Sequence, residues 1–421
     1  MTSPDTAGTE SAARERSEDA PLRPAAGRSS LGEVCAALWP PPATVSLRRG
    51  PRSFRVRERD FVVLPSARRP RLLVPSGRRA SAAAVRRYGE PGSVPAWAAS
   101  RALALALAAG GASVGLGGRL RVSADPGTGT IEGYLRSVLG CEVLVSTHLG
   151  AARANRKPVL QLLTPRGATV GFAKISVNPL TRDLIQAERA ALDTLATASL
   201  PALTVPSVLH HGQWQGREVL VMNALPAWRR RRALRPGQLT AAMTELTGVG
   251  GRTRGPLAGS GYLDRLRSRL ASAPPGPDRD TLGAALDALT AAGPELSFGA
   301  WHGDWTGWNM ASTADGLLVW DWERFAPGVP LGFDPLHYRL QSDVVRRRRP
   351  PAQAADGCVR DAPACLAPFG VPAGQARLVA VLYLAELSAR YLADRQAEAG
   401  ARLGQPGTWL IPAIEKAVKT L

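Results

Sequence analysis

The sequence predicts an α+β fold, in which a small antiparallel β-sheet precedes a larger helical part. Three short apolar runs separated by turn-forming segments are typical of a three-strand meander, and they are 142–148, 158–163 and 169–176. A helix is predicted over 181–198 with Thr181 as its cap, followed by a strand over 218–223. From about residue 239 the pattern is mostly helical, with one β-hairpin around an Asp-Gly turn.

The chain before this meander has a different character. Residues 1–30 are rich in Ser, Ala, Pro and charge without apolar periodicity, which predicts a disordered tail. Residues 31–130 contain short apolar runs broken by Pro and Arg, and we expect an accessory α/β region there as an N-terminal extension. A short helix over 131–139 then leads into the first strand of the meander.

The charge balance is strongly basic, with 53 Lys and Arg residues against 34 Asp and Glu residues. A basic field attracts phosphates, but no basic stripe here alternates with stacking aromatic residues, so nucleic-acid binding is not favoured. A polyanion-binding element within 31–140 is kept as an alternative. The four cysteines have neither metal-site nor disulfide spacing, and no export signal or membrane span is indicated, so a cytoplasmic protein with reduced thiols is expected. The oligomeric state is not indicated.

The residues that carry chemistry follow one another closely in the segment from His302 to Glu323. His302-Gly303-Asp304 is followed five residues later by Asn309, and then by Asp321-Trp322-Glu323. If the apolar runs on either side of the Asp-Gly turn pair, Asn309 and Asp321 emerge at the same end of the hairpin. Their oxygen atoms suit a hard cation such as Mg²⁺, and Asp304 lies where a carboxylate could accept the proton of an attacking hydroxyl.

This pattern resembles the aminoglycoside phosphotransferase and choline kinase superfamily, whose members are relatives of the protein kinases. Both superfamily motifs, H-G-D-x-x-x-x-N and D-x-E, are complete. The resemblance implies a bilobal protein-kinase-like fold, with a small lobe over 131–225 and a helical lobe over 226–421. It also implies transfer of a phosphoryl group from ATP with Mg²⁺, Asp304 as catalytic base, and Asn309 and Asp321 as metal ligands. His302 is expected to hydrogen-bond the loop rather than to move protons.

Lys174 and Glu188 are the candidates for holding the nucleotide phosphates. Glu188 lies four residues from both Leu184 and Leu192, which places a carboxylate on the apolar stripe of its helix. A buried charge is costly unless it is paired, and a lysine on the adjacent strand could pair it. The resemblance supplies this pair, with the lysine reaching the phosphates. An exposed strand lysine is the alternative.

The predicted nucleotide loop departs from the glycine-rich pattern of protein kinases. Residues 149–157 contain one glycine, Gly150, and either Arg153 or Lys157 could add positive charge or simply face solvent. By the resemblance, the segment holding Asn223 and Leu225 is the hinge whose backbone binds adenine. Asp334 precedes a proline, so it is expected to cap a helix, and the resemblance also gives it a role in steadying the catalytic loop.

The acceptor is predicted to be a hydroxyl group of a small molecule, such as a sugar, an aminoglycoside-like compound or another metabolite. The alternative is a catalytically silent kinase-fold module that binds nucleotide for regulation. That alternative is motivated by the predicted nucleotide loop, which contains a single glycine.

Overall fold

A computed structural model describes residues 20–21, 30–48, 58–88, 94–110, 118–125, 129–150, 153–227, 232–291, 293–314 and 316–420. Most of the predicted disordered tail lies outside the described residues. The chain divides into two compact units. Unit 1 comprises Met1–Gly150, Pro158–Lys174 and Trp214–Gly216, and unit 2 comprises Ala151–Lys157, Ile175–Gln213 and Arg217–Leu421. The predicted α+β class, with a small β lobe and a larger helical lobe, is confirmed.

In its described residues, unit 1 has an antiparallel sheet and four helices. Its strands are β1 (Ala20–Pro21), β2 (Thr44–Arg48), β3 (Glu58–Ser66), β4 (Arg69–Pro75), β5 (Gly118–Ser123), β6 (Leu144–His148), β7 (Val159–Leu163) and β8 (Thr169–Ile175). Its helices are α1 (Ser30–Leu38), α2 (Arg78–Tyr88), α3 (Val94–Ala108) and α4 (Ile131–Leu139). The strand order is β1-β2-β5-β3-β4-β6-β7-β8.

The predicted meander is formed by β6, β7 and β8. Val145 lies opposite Leu162, and Leu160 lies opposite Ala173, so apolar residues face one another across the three strands. The strands of the accessory region continue the same sheet, because Leu72 of β4 pairs with His148 of β6. The accessory strands and the meander therefore share one sheet within unit 1.

Unit 2 contains the remaining elements. Its helices are α5 (Pro179–Ala196), α6 (Gln238–Leu246), α7 (Gly261–Ser272), α8 (Pro277–Ala291), α9 (Phe333–Gln341), α10 (Pro351–Arg360), α11 (Ala362–Leu366), α12 (Ala373–Ala393) and α13 (Ile411–Val418). Its strands are β9 (Leu203–Thr204), β10 (Val208–Trp214, of which Trp214 falls in unit 1), β11 (Arg217–Asn223), β12 (Thr253–Pro256), β13 (Glu295–Trp301), β14 (Met310–Ser312), β15 (Leu317–Val319) and β16 (Ala326–Pro330).

Helix α5 begins three residues earlier than a cap at Thr181 would place it. Asn178 is the N-cap, and its side chain accepts a hydrogen bond of 2.8 Å from the backbone N–H of Thr181. The Thr181 hydroxyl in turn accepts from the Asn178 N–H, which completes a capping box. The predicted cap at Thr181 is wrong because Asn178 is an equally good cap and Pro179 suits the first helical position.

The predicted β-hairpin is confirmed. Met310 pairs with Val319 and Ser312 pairs with Leu317, and β15 also pairs in parallel with β9. All six residues of β14 and β15 are buried. The hairpin is thus held in the core on both faces, which fixes the direction in which its ends point.

Helix α12 forms the centre of the helical part of unit 2. Thirteen of its residues, Ala376 and all of 379–390, are buried, and the helix packs against α7, α8 and α13. Burial on nearly all faces explains why its sequence shows no amphipathic stripe. Among the described residues no single helix combines the length and apolar character needed to cross a membrane, although the bent pair Ala362–Phe369 and Ala373–Ala393 does so by composition and length.

Candidate active site

A tight loop follows β13 and carries His302, Gly303 and Asp304. Gly303 has a φ of +81°, and a Cβ at this position would overlap the carbonyl oxygen of Arg324 and lie 2.8 Å from its Cβ. Only glycine tolerates both the left-handed backbone and this close approach. The glycine of the H-G-D motif is therefore required by the packing of the loop against the segment after Asp321.

Asp334, the second residue of α9, anchors this loop. Its carboxylate accepts hydrogen bonds from the backbone N–H groups of His302 at 2.7 Å and Gly303 at 3.2 Å. Gly332 is the N-cap of α9, so the predicted capping role of Asp334 is wrong, whereas its contacts with the loop agree with the second role that the resemblance implied. Burial raises the pKa of Asp334 to about 7, although both hydrogen bonds lower it.

A buried arginine, Arg390 of α12, approaches the same loop. Its Nη1 donates to the carbonyl oxygen of Gly303 at 2.8 Å, and its guanidinium lies 5.4 Å from the ring centre of Trp301. Its Nε and Nη2 are buried without a hydrogen-bond partner among the described residues. Burial lowers the pKa of Arg390. Arg390 thus brings a positive charge next to the loop that carries Asp304.

His302 is fully buried and bonds the loop through both ring nitrogens. Its Nδ1 accepts from the backbone N–H of Asp304 at 3.1 Å, and its Nε2 lies 3.1 Å from the carbonyl oxygen of Trp320. Burial lowers the pKa of His302 to about 4, although the charges of Asp304 and Asp321 raise it. A neutral ring with its proton on Nε2 satisfies both contacts, in agreement with the expected structural role.

Asp304 has a partner on each carboxylate oxygen. His337 Nε2 lies 3.0 Å from Oδ1, and Asn309 Nδ2 donates to Oδ2 at 3.0 Å. The side chain keeps 35% of its surface exposed. Burial by itself raises the pKa of Asp304, but the hydrogen bond from His337 and the positive charge of Arg390 lower it, and the pKa lies below its ordinary value. Asp304 is thus an oriented, ionised and accessible carboxylate.

Asn309 and Asp321 leave the same end of the hairpin, as predicted. The backbone N–H of Trp320 donates to the carbonyl oxygen of Asn309 at 3.0 Å, so Asp321 follows directly after the last pair of the hairpin. Because the Asn309 amide nitrogen faces Asp304, its oxygen is turned the other way. Asp321 has a φ of +74°, a left-handed conformation that aspartate tolerates better than most residues.

Three carboxylates meet beside the hairpin end. Oxygen atoms of Glu188, Asp321 and Glu323 lie within 4.8 Å of one another. Glu188 of α5 is fully buried, and its Oε1 accepts from the backbone N–H of Trp322 at 3.2 Å. Gathered carboxylate oxygens repel one another without a cation, and this set of hard oxygen donors fits Mg²⁺.

The loop segment 153–157 is tied to this acidic cluster. Lys157 Nζ forms a buried ion pair with Glu323, and Asn155 Nδ2 donates to the other oxygen of Glu323 at 3.3 Å. The backbone N–H of Ala154 donates to Gln396 Oε1 at 3.3 Å. Lys157 is therefore a buried partner of Glu323, and the alternative that it is a solvated loop residue is wrong.

The other predicted nucleotide residues lie in unit 1. Lys174 is buried on β8, opposite Val159 of β7, which excludes the exposed strand lysine. Gly150 is half-buried and follows β6. Glu188 belongs to unit 2, so the ion pair between Lys174 and Glu188 stays a prediction, as does the phosphate-binding role of Gly150.

The predicted hinge lies in unit 2 after β11. The backbone N–H of Asn223 donates to Ser207 O at 3.0 Å, and its side-chain oxygen accepts from the Ser207 N–H at 2.9 Å. Leu225 is buried against Ala311 and Leu318 of the hairpin. The predicted adenine-binding segment therefore packs on the hairpin that carries Asn309 and Asp321, and the adenine contacts of Asn223 and Leu225 stay predictions.

Comparison with protein families matches residues 165–360 to the phosphotransferase enzyme family. The predicted resemblance to the aminoglycoside phosphotransferase superfamily is confirmed. The match takes in the whole of both motifs, together with Lys174 and Glu188, and covers a little under half of the chain. Comparison with curated proteins gives no match.

Several solved structures of kinases are similar to this chain at low identity. A thermostable mutant of aminoglycoside phosphotransferase APH(4)-Ia, in complex with AMP-PNP and hygromycin B, is 13% identical with a TM-score of 0.45, and the match covers 69% of this chain and 98% of that one. Amicoumacin kinase hAmiN, in complex with AMP-PNP, Ca²⁺ and Ami, is 11% identical with a TM-score of 0.38, covering 66% and 88%. A choline/ethanolamine kinase family protein from Mesorhizobium loti is 18% identical with a TM-score of 0.33, covering 66% and 93%. Likenesses this remote carry no argument about what this chain binds.

The structure adds residues that the phosphotransferase motifs did not reveal. His337, Tyr383 and Arg390 all lie close to the loop that carries Asp304, and sequence reasoning missed them. One signal was present for His337, because it follows Asp334 by three residues and so shares the same face of α9. Nothing near Tyr383 or Arg390 in the sequence points to this loop.

Proposed function

We propose that this protein transfers the γ-phosphoryl group of ATP to a hydroxyl group of a small molecule. The observation that carries the proposal is the environment of Asp304, a partly exposed carboxylate held on one oxygen by His337 and on the other by Asn309. Its lowered pKa keeps it ionised at neutral pH. It can then accept the proton of the acceptor hydroxyl as the new P–O bond forms and the bond between the γ-phosphorus and the bridging oxygen breaks, with ADP as the leaving group.

The proposed metal ligands are the amide oxygen of Asn309 and the carboxylate of Asp321. The neighbouring carboxylates of Glu188 and Glu323 add negative charge that favours a divalent cation over a monovalent one. Mg²⁺ would supply charge neutralisation for the nucleotide phosphates when bound. The chain's own residues would keep their oxygens convergent and orient Asp304 toward the acceptor.

The nucleotide-binding residues in this proposal are Lys174 for the phosphates, Glu188 to orient it, and the backbone around Gly150 and Leu225. Lys174 is buried, which suits a lysine committed to a specific partner. The acceptor class stays a sugar, an aminoglycoside-like compound or another metabolite hydroxyl. The cytoplasm, where ATP and Mg²⁺ are available, is the expected location.

A catalytically silent nucleotide-binding module is the second candidate, and the contact between Lys157 and Glu323 favours it. A buried ammonium already neutralises one carboxylate of the acidic cluster. If that ion pair persisted with nucleotide bound, the cluster would have less charge to offer a metal. A silent module would bind nucleotide without transferring its phosphoryl group.

The two functions are separated by measuring Mg²⁺-dependent ATP consumption with a panel of small-molecule hydroxyl acceptors. The proposal expects turnover with at least one acceptor and a loss of about 100-fold or more in kcat for Asp304→Asn, the scale of general-base contributions. Asp193→Asn, an exposed carboxylate on α5, is the matched control and should retain wild-type kcat. Nucleotide binding with no Asp304-dependent turnover would establish the silent module.

A further inference from the structure

His337 connects Asp304 to a buried tyrosine. Its Nε2 lies 3.0 Å from Asp304 Oδ1, and its Nδ1 lies 3.0 Å from the hydroxyl oxygen of Tyr383. The His337 and Tyr383 rings meet edge to face, with centroids 5.9 Å apart. Both residues are buried, whereas Asp304 is partly exposed. The chain of contacts therefore runs from the interior of the helical core to the surface of the site.

The hydrogen-bond roles in this chain follow from the groups themselves. An ionised carboxylate can only accept, so His337 Nε2 must carry the proton that points at Asp304. With Nε2 protonated in a neutral ring, Nδ1 is an acceptor, and the Tyr383 hydroxyl donates to it. Burial lowers the pKa of His337 although its bond to Asp304 raises it, in agreement with the neutral ring.

The consequence is that the Asp304 carboxylate cannot rotate without losing a bond. Oδ1 is held by His337, and Oδ2 is held by the Asn309 amide, which also donates to the Asp304 backbone carbonyl at 2.9 Å. A carboxylate held at both oxygens loses little rotational freedom on reaching the geometry for reaction. Asn309 belongs to the family motif, but His337 and Tyr383 do not.

We propose that His337 is a positioning residue for Asp304, and that Tyr383 fixes the tautomer in which His337 can do so. The inference rests on the proposed phosphotransferase function and adds two residues to its machinery. Neither residue is given a contact with substrate. The alternative is that both are packing residues of the core, with hydrogen bonds that matter only for stability.

The test compares His337→Leu, which removes the donor, with His337→Gln, whose amide can still donate to Asp304. In the full chain we expect His337→Leu to lower kcat by about 100-fold with little change in the KM for ATP, the cost of a misplaced catalytic group. His337→Gln should recover most of that loss. Tyr383→Phe should lower kcat by about 3- to 10-fold, as expected for one supporting hydrogen bond. The matched control is Tyr262→Phe, a buried tyrosine whose hydroxyl bonds Leu382 O at 3.4 Å, and it should leave kcat unchanged.

A second arm repeats His337→Leu in the Asp304→Asn background. If His337 acts by positioning the Asp304 carboxylate, the second substitution lowers residual kcat by less than about twofold, because residues that act as a unit are not additive. An equal loss in both backgrounds, or a kcat in His337→Leu equal to wild type, overturns the proposal.

A third arm does not depend on turnover. Nitrogen-15 NMR of the His337 ring in the wild-type chain should show a neutral ring protonated on Nε2, with a smaller Nε2-protonated fraction in Tyr383→Phe. A ring protonated on Nδ1, or an imidazolium near neutral pH, overturns the positioning role. Absence of Asp304-dependent turnover in the wild type would refute the phosphotransferase function alone, and the NMR result would then decide the role of His337.

Discussion

The carboxylate of Asp334 accepts a hydrogen bond of 2.7 Å from the backbone N–H of His302, although the two residues are 32 positions apart. This contact joins the first turn of α9 to the loop that presents Asp304. Gly303 donates to the other carboxylate oxygen, so a single side chain orients two successive peptide groups. The position of Asp304 therefore depends on the folding of α9 beneath it.

The stability of the protein should depend on pH through Asp334. Its pKa in the folded state is raised to about 7, against about 4 for an aspartate in an unfolded chain. A raised pKa means that the folded state holds the proton more tightly. The contribution of Asp334 to the free energy of unfolding is on the order of 4 kcal/mol at most. It is present in full below about pH 4 and is lost as the pH rises to about 7.

The measurement is the free energy of unfolding in urea between pH 4 and pH 8, for wild type and for Asp334→Asn. As the pH rises, the free energy of unfolding of wild type should fall relative to that of Asp334→Asn. Any constant cost of the amide cancels, because only the change with pH is used. A difference that is independent of pH would show that Asp334 is not protonated in the folded state in this range.

Gly303→Ala should destabilise unit 2 and displace the catalytic loop. A Cβ at Gly303 meets both the carbonyl oxygen and the Cβ of Arg324, in addition to adopting a φ of +81°. We expect a loss of about 2–4 kcal/mol in the free energy of unfolding. Gly370→Ala is the control, since Gly370 also has a positive φ but nothing within 4 Å of its added Cβ, and its cost should stay near 1 kcal/mol. Equal losses for the two variants would contradict the packing argument.

Lys157 and Glu323 should be strongly coupled in stability. Both side chains are about 95% buried, so removing either one leaves a buried charge without its ionic partner, which costs about 3–5 kcal/mol. Lys157→Met with Glu323→Gln should then cost less than the sum of the two single variants. A double-mutant cycle on urea unfolding measures the coupling. The exposed pair Arg267 and Asp287 provides the control cycle, with an expected coupling energy below about 1 kcal/mol. An equally weak coupling energy between Lys157 and Glu323 would show that their ion pair does not form in solution.

Divalent cation with nucleotide should stabilise the wild-type protein through Asp321. With Mg·ATP at 100 times its dissociation constant, mass action adds about 2.7 kcal/mol and raises Tm. Asp321→Asn should lose most of this increase, because it removes one charged oxygen ligand from the cluster with Glu188 and Glu323. Asp193→Asn should retain the increase. If Asp321→Asn responded to Mg·ATP like wild type in differential scanning fluorimetry, the proposed metal site would be misplaced.

Much of the local structure was predictable because it depends on neighbours in the sequence. The hairpin of β14 and β15 follows from two apolar runs around an Asp-Gly turn, and the meander follows from alternation and turn residues. The start of α5 was misplaced because Asn178 and Thr181 are both competent caps, and the choice depends on the capping box that they form together.

Roles at the site were less predictable than the residues themselves. Asp334 was identified from the sequence, and capping of a helix was the favoured role. Its side chain in fact contacts a loop that precedes it in the chain by about 30 residues. Lys157 was identified as a positive charge near the nucleotide loop, whereas its described partner is Glu323, 166 positions away. A sequence motif gives the type of group available, and the packed structure selects its partner.

By itself the sequence determined the fold class, the meander, the hairpin, and the short motifs in which Asp304, Asn309 and Asp321 stand at fixed spacings, whereas the sheet of β12, β13 and β16 was not predicted. These features depend on backbone geometry and hydrogen bonds between residues a few positions apart. Only the tertiary structure decided that His337 holds Asp304 and that Tyr383 holds His337. Such contacts join segments that are distant in the chain, and they form only when burial of the whole helical core brings those segments together.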